Sequence, residues 1–272
     1  MIGNSREEIR VAAIGDNCID LYPRLKRQYC TGNAVDFAVN VQKLGLQTSL
    51  ISVTGDDENG TLMVETLQAL GVDLSHFKVK QGQTAITYMD MTENNDRIHG
   101  DYVEGVLENI IFTEDDIVFA AQQDLVHTAF WGKAHPYLAE LHTLGARISF
   151  DYANKTRDPL VADTLPFVDY AFFSFSEHTC EVEQYLENAV EKGPRIAVAT
   201  FGAKGSLAYD GTAYHEFGIF PASVVNTVGA GDSFIAGFMV GILTGLEIPA
   251  CLEKGAQVAA QVVEVFEPWI NY

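Results

Sequence analysis

The sequence predicts an α/β fold in which βαβ units surround a largely parallel sheet. Short apolar runs of β type alternate with segments of helical period, and most of these segments end at a glycine. The 272 residues are 47% hydrophobic and 20% charged, which is the composition of a globular chain and not of a disordered one. We therefore expect a single domain over residues 1–272.

The elements follow one another in a regular order. Strands are predicted where β-type apolar residues dominate, at 9–14, 48–53, 125–129, 147–150, 170–174 and 196–200. Helices are predicted where apolar residues recur with helical period, at 33–44, 59–70, 135–144 and 177–191. Each of these helices stops near a glycine: Gly45, Gly71, Gly145 or Gly193. A longer apolar helical run follows at 234–246.

Two stretches break the alternation, and we interpret them as a small β lid over about 21–31 and 83–106. Residues 22–30 are short and irregular, whereas 84–91 and 97–104 alternate residue types around the turn-like Glu93-Asn94-Asn95-Asp96, as the arms of a hairpin do. Such a lid could close over a site and exclude water. The pattern also fits an edge hairpin or a dimer surface, so a homodimer through the lid is a further expectation.

Charge and apolar run lengths exclude several function classes. The 37 Asp and Glu against 17 Lys and Arg give a net charge of −20, which repels nucleic acid and anionic membrane surfaces. The longest nearly apolar run is shorter than the roughly 18–20 residues that span a bilayer, and no secretory signal is visible. The cysteines form no CxxC pair: Cys18, Cys30, Cys180 and Cys251. We expect a cytoplasmic protein with reduced thiols and with no nucleic-acid or membrane partner.

The strongest chemical signal is Asn226-Thr227-Val228-Gly229-Ala230-Gly231-Asp232-Ser233, directly before the last apolar run. The first N–H groups of a helix have no partner within it, so small residues at 229–231 would let a phosphate approach the bare backbone. Asp232 would then be placed to take a proton from an alcohol that attacks this phosphate. Taken alone, the segment also fits an ordinary helix N-cap.

Gly237, Gly241 and Gly245 recur every four residues along the same helix. The helix is too short for a membrane dimer. The stripe therefore predicts close packing on the sheet or on a neighbouring helix, which would hold the anion site rigid.

These motifs resemble those of the ribokinase-like, or PfkB, family of carbohydrate kinases. The family signature Asp-Thr-x-Gly-Ala-Gly-Asp is matched at 226–232 with Asn226 in place of the first Asp, and its N-terminal signature is matched at 31–36 with Thr31 and Asp36 as departures. The outer motifs resemble a branch that acts on fructosyl-amino acids: Gly15-Asp16-Asn17-Cys18-Ile19-Asp20, Asn95-Asp96-Arg97, Gly100-Asp101-Tyr102 and Trp131-Gly132. The resemblance covers essentially the whole chain. It implies a three-layer α/β/α fold with a mostly parallel central sheet and a small β lid.

The resemblance implies ATP-dependent phosphorylation of the 6-hydroxyl of fructoselysine or a similar fructosyl-amino acid. Asp232 would be the general base, and the N–H groups of Gly229, Ala230 and Gly231 would form the anion hole. Carboxylates and amides bind sugar hydroxyls well, and the implied sugar contacts are Asp16, Asp20, Gly32, Asn33 and Asp36. Without the resemblance, Asp16 and Asp20 would be interpreted as turn residues at strand ends.

A fructosyl-amino acid adds an ammonium and a carboxylate to the sugar. Asp16, Asp36, Asp101 and Glu104 are candidate partners of the ammonium, Arg97 is a candidate partner of the carboxylate, and Trp131 could stack on the sugar or alkyl chain. A solvated salt bridge in the hairpin would explain Arg97, Asp101 and Glu104 equally well. Core packing would explain Trp131.

On the nucleotide side, Thr200-Phe201-Gly202-Ala203-Lys204-Gly205 resembles the family's phosphate-binding turn, while Gly255, Ala256, Val258 and Ala259 would line the adenine slot. Glu177 resembles a glutamate that acts through water on Mg²⁺, although Ser174 stands where that motif has Asn. Lys155 and Arg157 fit either phosphate binding or a surface loop. The expected ATP-binding residues are Thr200, Gly202, Gly205, Thr227, Gly229, Gly231, Ala256 and Ala259, with Mg²⁺ as the expected cofactor.

Asn226 leaves one question open. Some relatives bind a monovalent cation beside the anion hole through the first Asp of the signature, and here that charge is missing. Two other functions also stay open: a kinase for fructose, ribose or a nucleoside, and a catalytically inactive sensor of sugar or nucleotide.

Overall fold

The computed structural model describes residues 8–92 and 97–270, with the backbone alone at Arg97. Its strands are β1 (Arg10–Ile14), β2 (Cys18–Tyr22), β3 (Arg27–Thr31), β4 (Gln47–Gly55), β5 (Phe77–Lys80), β6 (Ile86–Met91), β7 (Arg97–Val103), β8 (Leu125–Ala129), β9 (Ile148–Asp151), β10 (Tyr170–Ser174), β11 (Ile196–Thr200), β12 (Ser206–Tyr209) and β13 (Tyr214–Phe217). Its α-helices are α1 (Asn33–Lys43), α2 (Glu58–Ala69), α3 (Glu114–Ala121), α4 (Leu138–Thr143), α5 (Pro159–Thr164), α6 (Cys180–Val190), α7 (Ala230–Leu243) and α8 (Ile248–Val263). The predicted turn at 93–96 lies outside the described residues.

Nine of the described strands form the main sheet, in the spatial order β13–β12–β11–β10–β9–β8–β1–β4–β5. From β11 to β5 every neighbouring pair is parallel, whereas β12 and β13 are antiparallel at one edge. Parallel neighbours need crossover connections, and these place helices on both faces of the sheet. The predicted three-layer α/β/α arrangement with a mostly parallel sheet is confirmed.

Two apolar layers hold the helices to the sheet. On one face α1, α2, α7 and α8 pack through side chains such as Phe37, Met63 and Phe238. On the other face α3 to α6 pack through side chains such as Ile117 and Leu186. Burying one such side chain contributes roughly 1.5–3 kcal/mol, so the sheet is a firm platform for the loops at its ends. None of the described helices is long and apolar enough to cross a membrane.

A second sheet of four strands, in the order β3–β2–β6–β7, contains both segments that we interpreted as a lid. β2 pairs antiparallel with β3 and parallel with β6, and β6 pairs antiparallel with β7. The expectation that residues 22–30 are irregular holds for the turn at 23–26 and is wrong for the strand residues on either side of it. Buried Tyr29 and Cys30 tie this segment into the small sheet as β3.

Two predicted helix boundaries also differ from the structure. The helix expected from residue 177 begins at Cys180, because the Thr179 side chain caps it by accepting the N–H of Val182. Glu177 therefore precedes the helix. The helix expected at 135–144 is a 3₁₀ turn at His135–Tyr137 followed by α4.

The glycine stripe of α7 packs against α8, as predicted, at two of its three positions. A Cβ at Gly237 would lie 2.8 Å from the Lys254 carbonyl oxygen, and one at Gly241 would lie 2.8 Å from the Cys251 sulfur. Gly245 lies beyond the end of α7, with nothing within 4 Å of its Cβ position. Its role is to end the helix, not to pack it.

Candidate active site

Five consecutive strands of the sheet, β11, β10, β9, β8 and β1, point their carboxyl ends to one edge. Ligands of open α/β sheets bind at this edge, because the loops that leave parallel strands gather there. The residues at or just after these ends are Thr200, Ser174, Asp151, Trp131 and Asp16. The topology thus brings together side chains that are far apart in the sequence.

Gly229 sets the start of α7 at this edge. Its φ is +74°, and a Cβ there would lie 2.5 Å from the Pro268 carbonyl oxygen, so glycine alone fits. The Ser233 N–H donates to the Gly229 carbonyl oxygen over 2.8 Å and fixes the first turn. The N-terminus of this 14-residue helix favours negative charge, since its first N–H groups have no partner within the helix.

Asp232 lies in that first turn and is 8% exposed. The side-chain amide of Asn33 donates to its Oδ1 over 2.9 Å. This hydrogen bond joins the N-termini of α1 and α7 and orients the carboxylate. A helix N-terminus stabilises the ionised form of a carboxylate, which is the form that can accept a proton.

The start of α1 holds a second carboxylate, that of Asp16. Gly32, the N-cap of α1, has a φ of +126°, and a Cβ there would lie 2.7 Å from the Asn17 Cα. The turn after β1 therefore lies directly against the start of the helix. The Asn33 N–H donates to Asp16 Oδ2 over 3.1 Å, while Asp16 Oδ1 has no partner among the described residues. Burial raises the pKa of Asp16 although backbone hydrogen bonds oppose this.

Asp36 lies deeper in α1 and is 2% exposed. The Thr31 hydroxyl donates to its Oδ2 over 2.8 Å, and its Oδ1 has no partner among the described residues. Burial, followed by the charges of Asp232, Asp20 and Asp16, raises the pKa of Asp36 well above its ordinary range. An unpaired buried oxygen of this kind is available to a hydrogen-bond donor from water or from a ligand.

The sequence suggested that Asp20 lies at the end of the first strand, but the structure places it elsewhere. β1 ends at Ile14, the chain turns at Asp16 and Asn17, and Asp20 lies within β2 of the small sheet. It is 4% exposed. The small sheet thus contributes its own carboxylate to the same group.

Asp151, at the end of β9, is a member of this group that the sequence-based predictions did not include. It is 7% exposed, and its Oδ1 accepts the Ala153 N–H over 2.8 Å. Burial and the charge of Asp232 raise its pKa to about 7. An acidic residue at the carboxyl end of a predicted parallel strand was the available signal. We call Asp16, Asp20, Asp36 and Asp151 the acid pocket.

Trp131 and Lys155 lie beside one another at the rim of this edge. Trp131 is 46% exposed, so it does not belong to the core. The Lys155 ammonium lies 5.8 Å from the Trp131 ring centroid and 5.9 Å from that of Phe130. Lys155, four residues after Asp151, is therefore a cation at the edge of the acid pocket.

Of the two interpretations of the hairpin residues, Glu104 agrees with the solvated salt bridge, although its partner lies outside the hairpin. Glu104 forms a salt bridge of 2.8 Å with Lys133, so its carboxylate already has a cationic partner. Asp101 is exposed on β7. Arg97 begins β7, and its side chain lies outside the described part of the chain.

A cleft of about 480 Å³ opens beside the N-terminus of α7, a size typical of small-molecule sites. Seven of the residues expected to bind ATP line it: Thr200, Gly202, Gly205, Thr227, Gly231, Ala256 and Ala259. The eighth, Gly229, packs behind the cleft on Pro268. Ile219, Phe220 and Phe234 complete its apolar wall without having been predicted.

Gly255 and Val258 do not line this cleft, contrary to the prediction. A Cβ at Gly255 would lie 2.8 Å from the Phe234 carbonyl oxygen, so this face of α8 packs on α7. Val258 is buried against Val262 and Ile270. Helical geometry places only one face of α8 on the cleft, and Ala256 and Ala259 occupy it.

Glu177 lies in the exposed loop before α6, and its carboxylate is 2.9 Å from the Lys204 ammonium, which lowers the pKa of Glu177. Among the described residues no three His, Cys, Asp or Glu side chains form a group that could hold a metal ion. Glu177 is thus a single exposed carboxylate, and Mg²⁺ is commonly held by nucleotide phosphates, waters and one or two carboxylates, so one such residue is compatible with this ion.

Residues 10–268 of the chain match the pfkB family carbohydrate kinases. The chain is 38% identical over 259 residues to fructoselysine 6-kinase of Escherichia coli, covering 95% of this chain and 99% of that protein. It is 29% identical over 262 residues to the fructosamine kinase FrlD of Bacillus subtilis, covering 95% and 92%.

A solved structure of Arabidopsis thaliana ribokinase, complexed with ribose and ATP, superposes with a TM-score of 0.83 at 20% identity, over 95% of this chain and 93% of that one. This superposition confirms the ribokinase-like fold. The family match and the 38% identity extend over almost the whole length. The chain therefore belongs to the pfkB family of carbohydrate kinases, enzymes that phosphorylate an alcohol group.

Proposed function

We propose that this sugar kinase transfers the γ-phosphoryl group of ATP to the 6-hydroxyl of fructoselysine or a similar fructosyl-amino acid. The observation that supports this most is the position of Asp232. Its buried carboxylate lies between the nucleotide cleft and the acid pocket, at a helix N-terminus, with its orientation fixed by Asn33.

In this proposal Asp232 is the general base. The 6-hydroxyl oxygen forms a bond to the γ-phosphorus, its proton passes to Asp232, and the bond to the β–γ bridging oxygen breaks with its electron pair leaving on ADP. The N–H groups of Gly229, Ala230 and Gly231 stabilise the negative charge on the transferred group. Mg²⁺, when bound with ATP, would neutralise phosphate charge, with Glu177 as its water-mediated partner.

The acid pocket supports a substrate that carries an ammonium group. Burial raises the pKa of three of its carboxyls, Asp16, Asp36 and Asp151, and repulsion from neighbouring carboxylates adds to the shift of Asp36 and Asp151. A neutral sugar supplies hydroxyl donors but leaves this repulsion in place. An ammonium supplies donors and opposite charge together, so it relieves the cost of ionised carboxylates. The names of the two relatives agree with this chemistry.

The rim supports the amino-acid part of the substrate. Trp131 presents an exposed ring on which an alkyl chain could lie, and the Lys155 ammonium beside it is a donor for a carboxylate. Among the described side chains, Lys155 is therefore our candidate partner for the substrate carboxylate, in place of Arg97. The small sheet, which contributes Asp20 and Thr31, would close this side of the site as a lid.

The test is ADP release by the purified protein with Mg-ATP on fructoselysine, other fructosyl-amino acids, fructose, ribose and adenosine. A charged hydrogen bond contributes about 1.5–3 kcal/mol, so we expect kcat/KM for fructoselysine to exceed that for fructose by about 10–100-fold. The change Asp151→Asn should reduce this ratio. The change Asp163→Asn removes the same charge from the exposed surface of α5 and should leave the ratio as it is.

Two outcomes would contradict the proposal. Equal or better turnover of fructose, ribose or adenosine would leave a sugar kinase but remove the ammonium-bearing substrate. No turnover on any substrate, by protein that binds ATP, would favour the inactive sensor.

A further inference from the structure

Asn226 stands where the family signature has an aspartate, and its side chain is 1% exposed. Its amide nitrogen donates to the Tyr29 hydroxyl over 3.2 Å and to the Phe266 carbonyl oxygen over 2.9 Å. Its Oδ1 accepts the Val228 N–H over 3.1 Å. An amide nitrogen has two hydrogens, so both are used by these two oxygens.

This arrangement does not fit the monovalent cation that the resemblance to cation-binding relatives suggests. A cation needs oxygens with lone pairs turned toward it, and here the Tyr29 and Phe266 oxygens already accept N–H donors. The Asn226 side chain is neutral, so it supplies no charge to offset the cost of burying an ion. The amide hydrogens and a cation would compete for the same oxygens.

The partners of Asn226 belong to three parts of the fold. Tyr29 lies in β3 of the small sheet, Val228 in the turn before α7, and Phe266 in the segment after α8. The rings of Tyr22, Tyr29 and Phe266 pack together with centroid distances of 5.1, 5.5 and 5.8 Å, and the Arg27 guanidinium covers Phe266 at 3.6 Å. Asn226 is the polar centre of this aromatic cluster.

The segment held by Asn226 also forms the back of the anion hole. Two residues after Phe266, Pro268 lies against Gly229, where its carbonyl oxygen would be 2.5 Å from any Cβ. The same oxygen accepts the Asn40 side-chain amide over 3.2 Å. A shift of this segment would therefore move the surface on which the start of α7 rests.

We propose that the Asn226 amide takes the place of a monovalent cation, so that this kinase binds ATP and turns over without potassium. Asn226 is a positioning residue: it holds the turn before α7 through Val228 and the segment behind Gly229 through Phe266. The two N–H bonds of its amide hold the Tyr29 and Phe266 oxygens together, as an ion between these oxygens would. They do so independently of the salt concentration.

The change Asn226→Asp tests this, because a carboxylate differs from the amide by one group. It has no hydrogens to donate, so the oxygen that replaces the amide nitrogen would face the Phe266 carbonyl oxygen with like partial charge, while the Tyr29 hydroxyl could turn to donate to it. A cation between these oxygens would relieve the repulsion. The variant should therefore need potassium where the parent does not.

The experiment compares potassium with tetramethylammonium, each at about 100 mM so that screening is equal. ATP affinity by calorimetry without sugar, and Tm, are measured first, so the result does not depend on the substrate that we propose; turnover follows. For the parent we expect the ATP Kd to change by less than about twofold, and for Asn226→Asp we expect potassium to tighten it by at least about fivefold, as coupled sites typically do. Potassium should also raise the Tm of the Asn226→Asp variant and leave the Tm of the parent unchanged.

Tyr29→Phe is the matched control, since it removes one acceptor without adding charge and should stay independent of potassium. Activation of the parent by potassium, in ATP affinity or in turnover, would overturn the proposal. So would a folded Asn226→Asp protein that binds ATP equally well in both salts. If that variant does not fold in either salt, a potassium response in Tyr29→Phe or in the parent decides against the proposal, and its absence in both supports it.

Discussion

Asp151→Asn should make the protein more stable at pH 8, because folding buries this carboxylate among others. Its pKa is about 7 in the folded chain, against an ordinary value of 3.8. The difference, about 3 pKa units at 1.36 kcal/mol each, corresponds to about 4 kcal/mol. Neighbouring carboxyls can take up protons in its place, so we expect a gain of about 2–4 kcal/mol in the free energy of unfolding.

The gain should vary with pH in one direction. Since the folded pKa lies above the unfolded value, the folded state binds the proton more tightly, and the stability of the parent falls as pH rises from about 4 to about 7. Near pH 4 most of the difference disappears, and the variant should exceed the parent by less than about 1 kcal/mol. The substituted side chain keeps an oxygen for the Ala153 N–H, so that hydrogen bond need not be lost.

Urea unfolding between about pH 4 and about pH 8 measures this directly, and the corresponding rise in Tm at pH 8 is on the order of 10 °C. Asp163→Asn, on the exposed surface of α5, should change stability by less than about 0.5 kcal/mol at any pH. A gain in stability that is absent at pH 8, or that does not change with pH, would refute the conclusion that burial and neighbouring charges raise the pKa of Asp151. The same substitution should weaken the preference for an ammonium-bearing substrate, so stability and specificity would change in opposite directions.

Three further predictions concern the nucleotide side. Asp232→Asn should lower kcat by about 10²–10⁴-fold, the usual contribution of a general base, and leave ATP affinity within about threefold by calorimetry; unchanged kcat would remove Asp232 as the base. Gly229→Ala should destabilise the fold by several kcal/mol, because its Cβ would meet Pro268 at 2.5 Å, whereas Gly231→Ala has open space and should weaken ATP binding without lowering Tm; equal Tm values for the two would contradict this packing. Glu177→Gln should raise the Mg²⁺ concentration needed for half-maximal turnover with little change in Tm, since the carboxylate is exposed; an unchanged Mg²⁺ requirement would exclude its role.

Much of this protein could be predicted from the chain alone, because the decisive signals are local. Alternating periods identify an α/β sheet, and the segment 226–233 identifies a helix N-terminus suited to phosphate. These signals need only neighbouring residues, and the family assignment that they support is confirmed. The roles of Asp232 and of the other site residues stay predictions until they are measured.

What failed depended on contacts between distant segments. Val258 and Ala256 are equally apolar in sequence, yet only Ala256 faces the cleft, because the rotation of α8 is fixed by Gly255 on Phe234. For Glu104 the sequence allowed either a substrate contact or a salt bridge within the hairpin, yet in the fold its partner is Lys133, 2.8 Å away and outside the hairpin. No local pattern reports either fact.

The sequence by itself determined the fold class and indicated the candidate phosphate-binding turn and the candidate base, since backbone periodicity and helix-start chemistry are properties of short segments. The tertiary structure alone decided that Asp151 joins Asp16, Asp20 and Asp36, and that the Asn226 amide binds Tyr29 and Phe266. The physical reason is that a raised pKa and a satisfied buried amide depend on burial and on partners up to 197 residues apart, and only the packed sheet and helices bring these groups together.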